Sequence, residues 1–250
     1  MKLTIVGCAG SYPTPESPGS CYLIEHDGQH LVLDLGPGSV GSLQNYLDPV
    51  LDDSFLGVAL SHCHIDHCVD VGSLYVMRHY GPVRPSHRLI VLGPQEAPER
   101  LAGISGRFDA SGFAEDLDIR AYEPAPMHIG PFELTVSHAI HPVEAYSMRV
   151  TAGDRSITFS GDTGPTPTLP ALAAGTDIAL FEASMSGSAN PGDVHMTGAD
   201  AGRAAEEADA GLLILTHMVT WTDNEAVLRE AAQAFSGPIE RAHVGMTVTL

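Results

Sequence analysis

Positive charge is scarce in these 250 residues: 12 Lys and Arg stand against 31 Asp and Glu, for a formal net charge of −19 at pH 7. A surface this acidic repels polyanions, and the few arginines are scattered, so a broad grip on nucleic acid or on anionic membrane is disfavoured. Long apolar runs are also missing. Stretches such as residues 211–215 fall far short of the roughly 18 residues needed to cross a bilayer. Residues 1–7 read as a first strand, without the long apolar segment or small-residue cleavage site of a secretory signal. Four cysteines are too few for a disulfide framework, which points to a reducing, cytoplasmic setting. No internal repeat, low-complexity tract or convincing linker divides the chain, so a single domain over residues 1–250 is expected.

What is present alternates in a regular way. Short runs rich in Val, Ile, Leu and Thr, bounded by Gly, Pro, Asp or His, predict strands at 3–7, 21–25, 31–34, 57–60, 89–93, 132–137, 147–151, 156–160, 178–182, 211–215, 239–242 and 246–250. Amphipathic stretches predict helices at 40–47, 69–80, 94–108, 168–174, 198–208 and 224–235. The last opens on a capping box, with Thr222 as N-cap and Glu225 three residues later. Strands interleaved with helices on both faces make an α/β layered domain. The Pro- and Gly-rich residues 12–19 read as a loop, and residues 103–118 fit a mobile flap.

Histidine is the unusual abundance, at 13 residues, and the histidines cluster. Leu60-Ser61-His62-Cys63-His64-Ile65-Asp66-His67 follows the apolar run Val58-Ala59-Leu60 and precedes a predicted helix. In extended backbone alternate residues face one side, so His62 and His64 converge on one point. Asp66 and His67, at the turn into the helix, face a second point beside the first. Imidazole and carboxylate are the ligands a borderline or hard divalent ion takes. The bland alternative, a cluster of surface histidines, leaves so dense a grouping at a strand end unexplained. Cys63 and Cys68 have no recognised catalytic partner and read as small packing residues.

His-x-His-x-Asp-His at a strand end resembles the signature of the metallo-β-lactamase superfamily. Three later pieces come in the order that family requires: His141 in His141-Pro142-Val143-Glu144, Asp162 in Ser160-Gly161-Asp162-Thr163-Gly164, and His217 after Leu213-Ile214-Leu215-Thr216. The resemblance runs nearly end to end and implies a four-layer αβ/βα sandwich holding two divalent metal ions. Carried over, one ion takes His62, His64 and His141, the other Asp66, His67 and His217, with Asp162 bridging. His138 is a rival to His141, which is preferred for its His-Pro-x-Glu context; otherwise His138, like His26, His30, His79, His87, His128 and His243, reads as a surface or supporting residue. Zinc is the default, with manganese, iron or cobalt also compatible. Two such ions hold a hydroxide between them and clamp the oxygens of an in-line displacement. Asp66 thus counts as catalytic as well as a ligand.

Asp193-Val194-His195-Met196-Thr197-Gly198 resembles the His-Ser/Thr motif of the ribonuclease Z group, in which the histidine helps protonate the leaving oxygen. His195 takes that role here, with Glu182 as the carboxylate that orients it. The plain alternatives are a loop histidine beside a helix cap and a solvated strand-end carboxylate. Bacterial tRNA-processing members carry a long arm between the positions matching His141 and Asp162. Here residues 142–161 are used by two strands joined at Ala152-Gly153-Asp154, which leaves no room for it. With the −19 charge, this counts against tRNA and for a small phosphodiester. Gly36-Pro37-Gly38-Ser39, Asp66-His67-Cys68-Val69-Asp70, His141-Pro142-Val143-Glu144 and Trp221-Thr222-Asp223 resemble an actinobacterial group of atypical class II cyclic-nucleotide phosphodiesterases.

The resemblance implies 3′,5′-cyclic AMP as substrate, attack by metal-bound hydroxide, and His195 as general acid. A tRNA 3′-endonuclease, or a hydrolase of a cyclic ribose phosphate, lactone or thioester, is the alternative, and an inert metal-binding scaffold is a third. Trp221, the only tryptophan, is a candidate base-stacking residue, although a core or interface place suits it equally. Related folds often dimerise, so a homodimer is one expectation.

Overall fold

The computed structural model describes residues 1–47, 52–106, 109–189 and 193–250. One seven-stranded sheet contains β1 (Lys2–Gly7), β2 (Cys21–His26), β3 (Gln29–Leu33), β4 (Phe55–Ala59), β5 (Leu89–Gly93) and β6 (Leu117–Ala121). The second contains β7 (Met127–Ile129), β8 (Phe132–His138), β9 (Tyr146–Ala152), β10 (Arg155–Phe159), β11 (Ile178–Glu182), β12 (Leu212–Thr216) and β13 (Ile239–Arg241). The last strand, β14 (Thr247–Thr249), crosses back to pair with β1, giving the orders β14-β1-β2-β3-β4-β5-β6 and β13-β12-β11-β10-β9-β8-β7. Strands β3 to β6 are mutually parallel, as are β10 to β13.

Period-two alternation explains the layering. Leu31 and Leu33 of β3 join Ile178 and Leu180 of β11 in an apolar layer between the sheets, with Phe132, Val150 and Phe159. The intervening residues face outward onto helices. Val32 and Val58 pack on one side with α1 (Ser39–Leu43), α3 (Val71–Tyr80) and α4 (Ala97–Ile104). Ala179 and Phe181 pack on the other with α5 (Thr168–Leu172), α6 (Gly198–Glu207) and α7 (Asn224–Ala234). The expected four-layer αβ/βα sandwich is therefore the observed fold. Burying each such Leu, Ile or Phe contributes about 1.5–3 kcal/mol. Helices α6 and α7 approach closely at Gly198, where a Cβ would fall 2.0 Å from the Val227 carbonyl oxygen.

Several local expectations need correction. Residues 103–118 are not a flap as far as they are described: a 3-10 turn at Ala110–Phe113 precedes β6, and Phe113 and Leu117 are buried in the core. Strand β6 pairs with β5 along its whole length. Its charges, Asp118 and Arg120, suit the sheet edge that β6 occupies. Like β6, the short β7 was absent from the sequence reading. Helix 94–108 shortens to α4, which ends before Gly106 at φ 67°, a left-handed residue that stops the helix; residues 107–108 lie outside the described set. The N-cap of α7 is Asp223, not Thr222: its side chain accepts from the amides of Glu225 and Ala226. The capping box sits instead at α6, between Thr197 and Asp200.

Candidate metal centre

The centre assembles where parallel strands end, the edge at which open α/β sheets collect ligands. β4 leads into Ser61 and His62, and a short helix α2 (Ile65–Cys68), with His64 as its N-cap, carries Asp66 and His67. Asp162 follows β10, Glu182 ends β11 and His217 follows β12, while His141 comes from the β8–β9 connection. Asp34 and His217, just past their strands, adopt left-handed backbone at φ 56° and 54°, a conformation costly for residues with a side chain and typical of functional sites. Gly161 turns the chain at φ 59°, where a Cβ would lie 2.8 Å from both the Ser61 Cβ and the Tyr146 carbonyl oxygen, so only glycine brings Asp162 inward.

Two groups of ligand atoms result. His64 Nδ1 lies 2.9 Å from His62 Nε2 and 3.0 Å from His141 Nε2. Beside them His67 Nε2 and His217 Nε2 are 3.2 Å apart. Asp66 Oδ2 is 3.5 Å from the first of that pair and 3.3 Å from the second. Asp162 lies between the groups: Oδ1 is 3.3 Å from His67 Nε2, and Oδ2 is 4.0 Å from His62 Nε2. His62, His67, Asp162 and His217 are buried. The seven residues expected from the sequence thus converge, and His141 rather than His138 is the histidine that joins them. His138 ends β8 with its ring 4.7 Å from that of Tyr146.

The outer faces of these imidazoles decide what their inner faces offer. His67 Nδ1 donates to Asp34 Oδ2 at 2.7 Å, and His141 Nδ1 donates to the Val194 carbonyl at 3.2 Å. Neutral rings held this way carry their lone pairs on Nε2, aimed inward at other lone pairs and at carboxylates. Among the described residues no hydrogen-bond donor reaches the buried Asp162 Oδ1. Burial opposes charge on His67, but the Asp162 and Asp34 carboxylates outweigh it and raise its pKa above the ordinary histidine value. Burial likewise opposes charge on His217, yet Asp162 and Asp66 raise it. The pocket calls for positive charge, and this donor set fits divalent cations.

Next to this centre, His195 Nδ1 donates to Glu182 Oε1 at 2.9 Å and lies 4.0 Å from Asp162 Oδ2. Glu182 is wholly buried, not a solvated strand-end carboxylate: it also accepts from Thr163 N, Ser184 N and Ser184 Oγ. Burial opposes protonation of His195, but Glu182 prevails and raises its pKa to about 9. Cys63 and Cys68 pack in the helix-side core, as expected.

Three contributors escaped the sequence reading. Asp34 accepts from Ser61 N at 2.6 Å and Ser61 Oγ at 2.8 Å besides His67; its signal is a carboxylate closing the apolar run Leu31-Val32-Leu33. Ser184 Oγ lies 3.3 Å from both His195 Nδ1 and His217 Nδ1. Tyr12 stacks on Trp221 with centroids 5.6 Å apart, and its hydroxyl hydrogen-bonds Thr220 Oγ1 at 3.0 Å. Trp221 is 57% exposed, which excludes a core role. The amide of the residue before Tyr12, Ser11, points at His217 Nε2 from 3.4 Å, so the aromatic pair stands close to the centre.

Comparison with known proteins agrees with this architecture. Residues 30–218 match the Beta-lactamase superfamily domain. An uncharacterized protein of Mycobacterium leprae is 37% identical over 253 residues, covering 99% of this chain and 88% of that one. The metallo-beta-lactamase fold protein YhfI of Bacillus subtilis is 29% identical over 249 residues, 98% of each chain, and its crystal structure superposes with a TM-score of 0.86. Ribonuclease Z of Myxococcus xanthus is 26% identical over 311 residues, covering 100% of this chain and 98% of that one. Among the described residues, no helix is long and apolar enough to cross a membrane. The chain belongs to the β-lactamase superfamily and is built as a metal-dependent hydrolase.

Proposed function

We propose that this hydrolase opens a small phosphodiester, 3′,5′-cyclic AMP foremost. The observation that carries the reading is the His195–Glu182 pair at 2.9 Å, set beside a centre rich in imidazole and carboxylate. A phosphodiester needs a proton delivered to its departing ribose oxygen, and a buried carboxylate that keeps its histidine protonated at neutral pH prepares that delivery. His62, His64 and His141 would hold one divalent ion, zinc by default, and Asp66, His67 and His217 a second, with Asp162 shared. Ions so held supply hydroxide at neutral pH and offset charge on the phosphoryl oxygens. Glu182 fixes the ring of His195, Asp34 fixes that of His67, and Ser184 braces His195 and His217 together. Trp221, stacked on Tyr12, offers a flat apolar face to the base.

The competing reading is tRNA cleavage, favoured by the likeness to ribonuclease Z. Two observations oppose it. Strands β9 and β10 pair from Ala152 and Arg155 onward, leaving only Gly153 and Asp154 between them, so no arm projects there. The chain's charge of −19 also opposes a polyanion far more than a monoanion.

The test is a substrate panel on metal-loaded protein, comprising cyclic AMP, cyclic GMP, 2′,3′-cyclic nucleotides, bis(p-nitrophenyl) phosphate and a precursor tRNA. Turnover of a 3′,5′-cyclic nucleotide above all others is expected. Processing of the tRNA faster than any cyclic nucleotide, or cyclic AMP left intact by protein that carries its metal, overturns the reading.

A further inference from the structure

A second feature lies on the far side of the strand-end segment that carries His217. Thr216 and Met218, its chain neighbours, line a cavity of about 440 Å³ between the loop after β1, the start of α7 and the end of β13. At its rim stands Arg241, whose side chain is exposed and reaches the cavity from the end of β13. Of the Lys and Arg side chains among the described residues, ten are engaged. Lys2, Arg84, Arg88, Arg100, Arg120, Arg155, Arg203 and Arg229 pair with carboxylates, and Arg78 and Arg149 donate to backbone carbonyls. Arg241 alone has no hydrogen-bond or ion-pair partner among them, in a chain with 31 acidic residues to choose from. The same wall holds Asn224, whose buried Oδ1 has no hydrogen-bond partner among the described residues. Leu215, Met218 and Val244 supply an apolar surface beside them.

These features specify a ligand. A free guanidinium recognises phosphate or carboxylate, either of which its planar fork binds through two parallel hydrogen bonds. An unsatisfied amide oxygen asks for an N–H or O–H donor, since leaving it buried and unpaired is costly. The apolar wall asks for a flat or aliphatic body, and the volume, within the roughly 300–1,000 Å³ range of small-ligand sites, is more than bare phosphate fills. Glu16, exposed in the same wall, can accept from a hydroxyl or amino group but disfavours a polyanion. We propose that this cavity is a binding site, separate from the metal centre, for a nucleoside monophosphate, with Arg241 on the phosphate and Asn224 on a donor of the base or ribose. The site does not depend on cyclic-nucleotide hydrolysis: a chain inert toward cyclic AMP would bind here equally well.

The experiment is calorimetric titration of metal-loaded protein with AMP, adenosine, ribose 5-phosphate and inorganic phosphate, repeated on Arg241→Ala and Arg241→Lys. Turnover of bis(p-nitrophenyl) phosphate reports the metal centre independently. AMP is expected to bind saturably and more tightly than any of its fragments. Arg241→Ala should weaken that binding at least tenfold, and Arg241→Lys should weaken it less, while both keep turnover within twofold of wild type. Absence of AMP binding at millimolar concentration overturns the proposal. So does AMP affinity unchanged in Arg241→Ala, which would put the phosphate at the metals only.

Discussion

Asp34→Asn probes how the histidines of the candidate metal centre are held. The carboxylate accepts three hydrogen bonds, from Ser61 N at 2.6 Å, Ser61 Oγ at 2.8 Å and His67 Nδ1 at 2.7 Å. An amide keeps one acceptor oxygen, so its NH2 group meets Ser61 N in one orientation and both Ser61 Oγ and His67 Nδ1 in the other, in a fully buried place. In the second orientation the His67 ring tends to flip or change tautomer, and Nε2 loses the lone pair aimed at the centre. A hydrogen bond to a charged group contributes about 1.5–3 kcal/mol, which at about 1.4 kcal/mol per decade is one to two decades in metal affinity. The roughly 10–100-fold cost of removing a carboxylate that orients a metal-binding histidine agrees. The assay is metal content after dialysis against graded chelator, with the melting temperature of metal-free protein as a folding control. A variant that folds normally and keeps its full metal complement at the chelator concentrations wild type tolerates would refute the reasoning.

Three further outcomes follow from the same geometry. His195→Ala should lower kcat for cyclic AMP by roughly 10²–10⁴-fold but affect bis(p-nitrophenyl) phosphate far less, because nitrophenolate leaves without a proton; equal losses on both substrates would remove His195 as the acid. Stripping metal should lower the melting temperature, since a ligand at 100 times its Kd stabilises by about 2.7 kcal/mol and inward-facing lone pairs and carboxylates repel without a cation; added zinc should restore it in a calorimetric scan. Thr197→Ala, which deletes the cap whose Oγ1 accepts from Asp200 N at 3.2 Å, should cost about 1 kcal/mol in urea unfolding and reduce kcat more than it raises KM, because the cap lies two residues from His195.

The legible parts of the sequence share a cause: they are local. Leu31, Leu33, Ile178 and Leu180 alternate with residues facing the helices, so period two marks their strands without any tertiary knowledge. His62 and His64 converge by the same periodicity, and Asp66 and His67 follow at the next turn. Strand β6 carries the same alternation in Leu117-Asp118-Ile119-Arg120-Ala121, but over only five residues beside a stretch read as a flap, and its pairing with β5 identifies it. The α7 cap slid from Thr222 to Asp223 because adjacent residues both suit the position, and the approach of the chain chooses between them. Asp34 escaped for another reason. Its partners, Ser61 and His67, are 27 and 33 residues away, and nothing local distinguishes a buried acceptor from a turn aspartate.

Residue order and spacing alone were enough for the alternation of strand and helix, the acidic composition and the pairing of His62 with His64 and of Asp66 with His67, because each depends on neighbours a few positions apart. Tertiary structure alone brought His141 rather than His138 beside His64, buried Glu182 to hold His195, exposed Trp221 against Tyr12 and left Arg241 without a partner among the described residues. Those outcomes are distances between segments remote in sequence, and a distance is set only when the two sheets have packed and their strand ends have met.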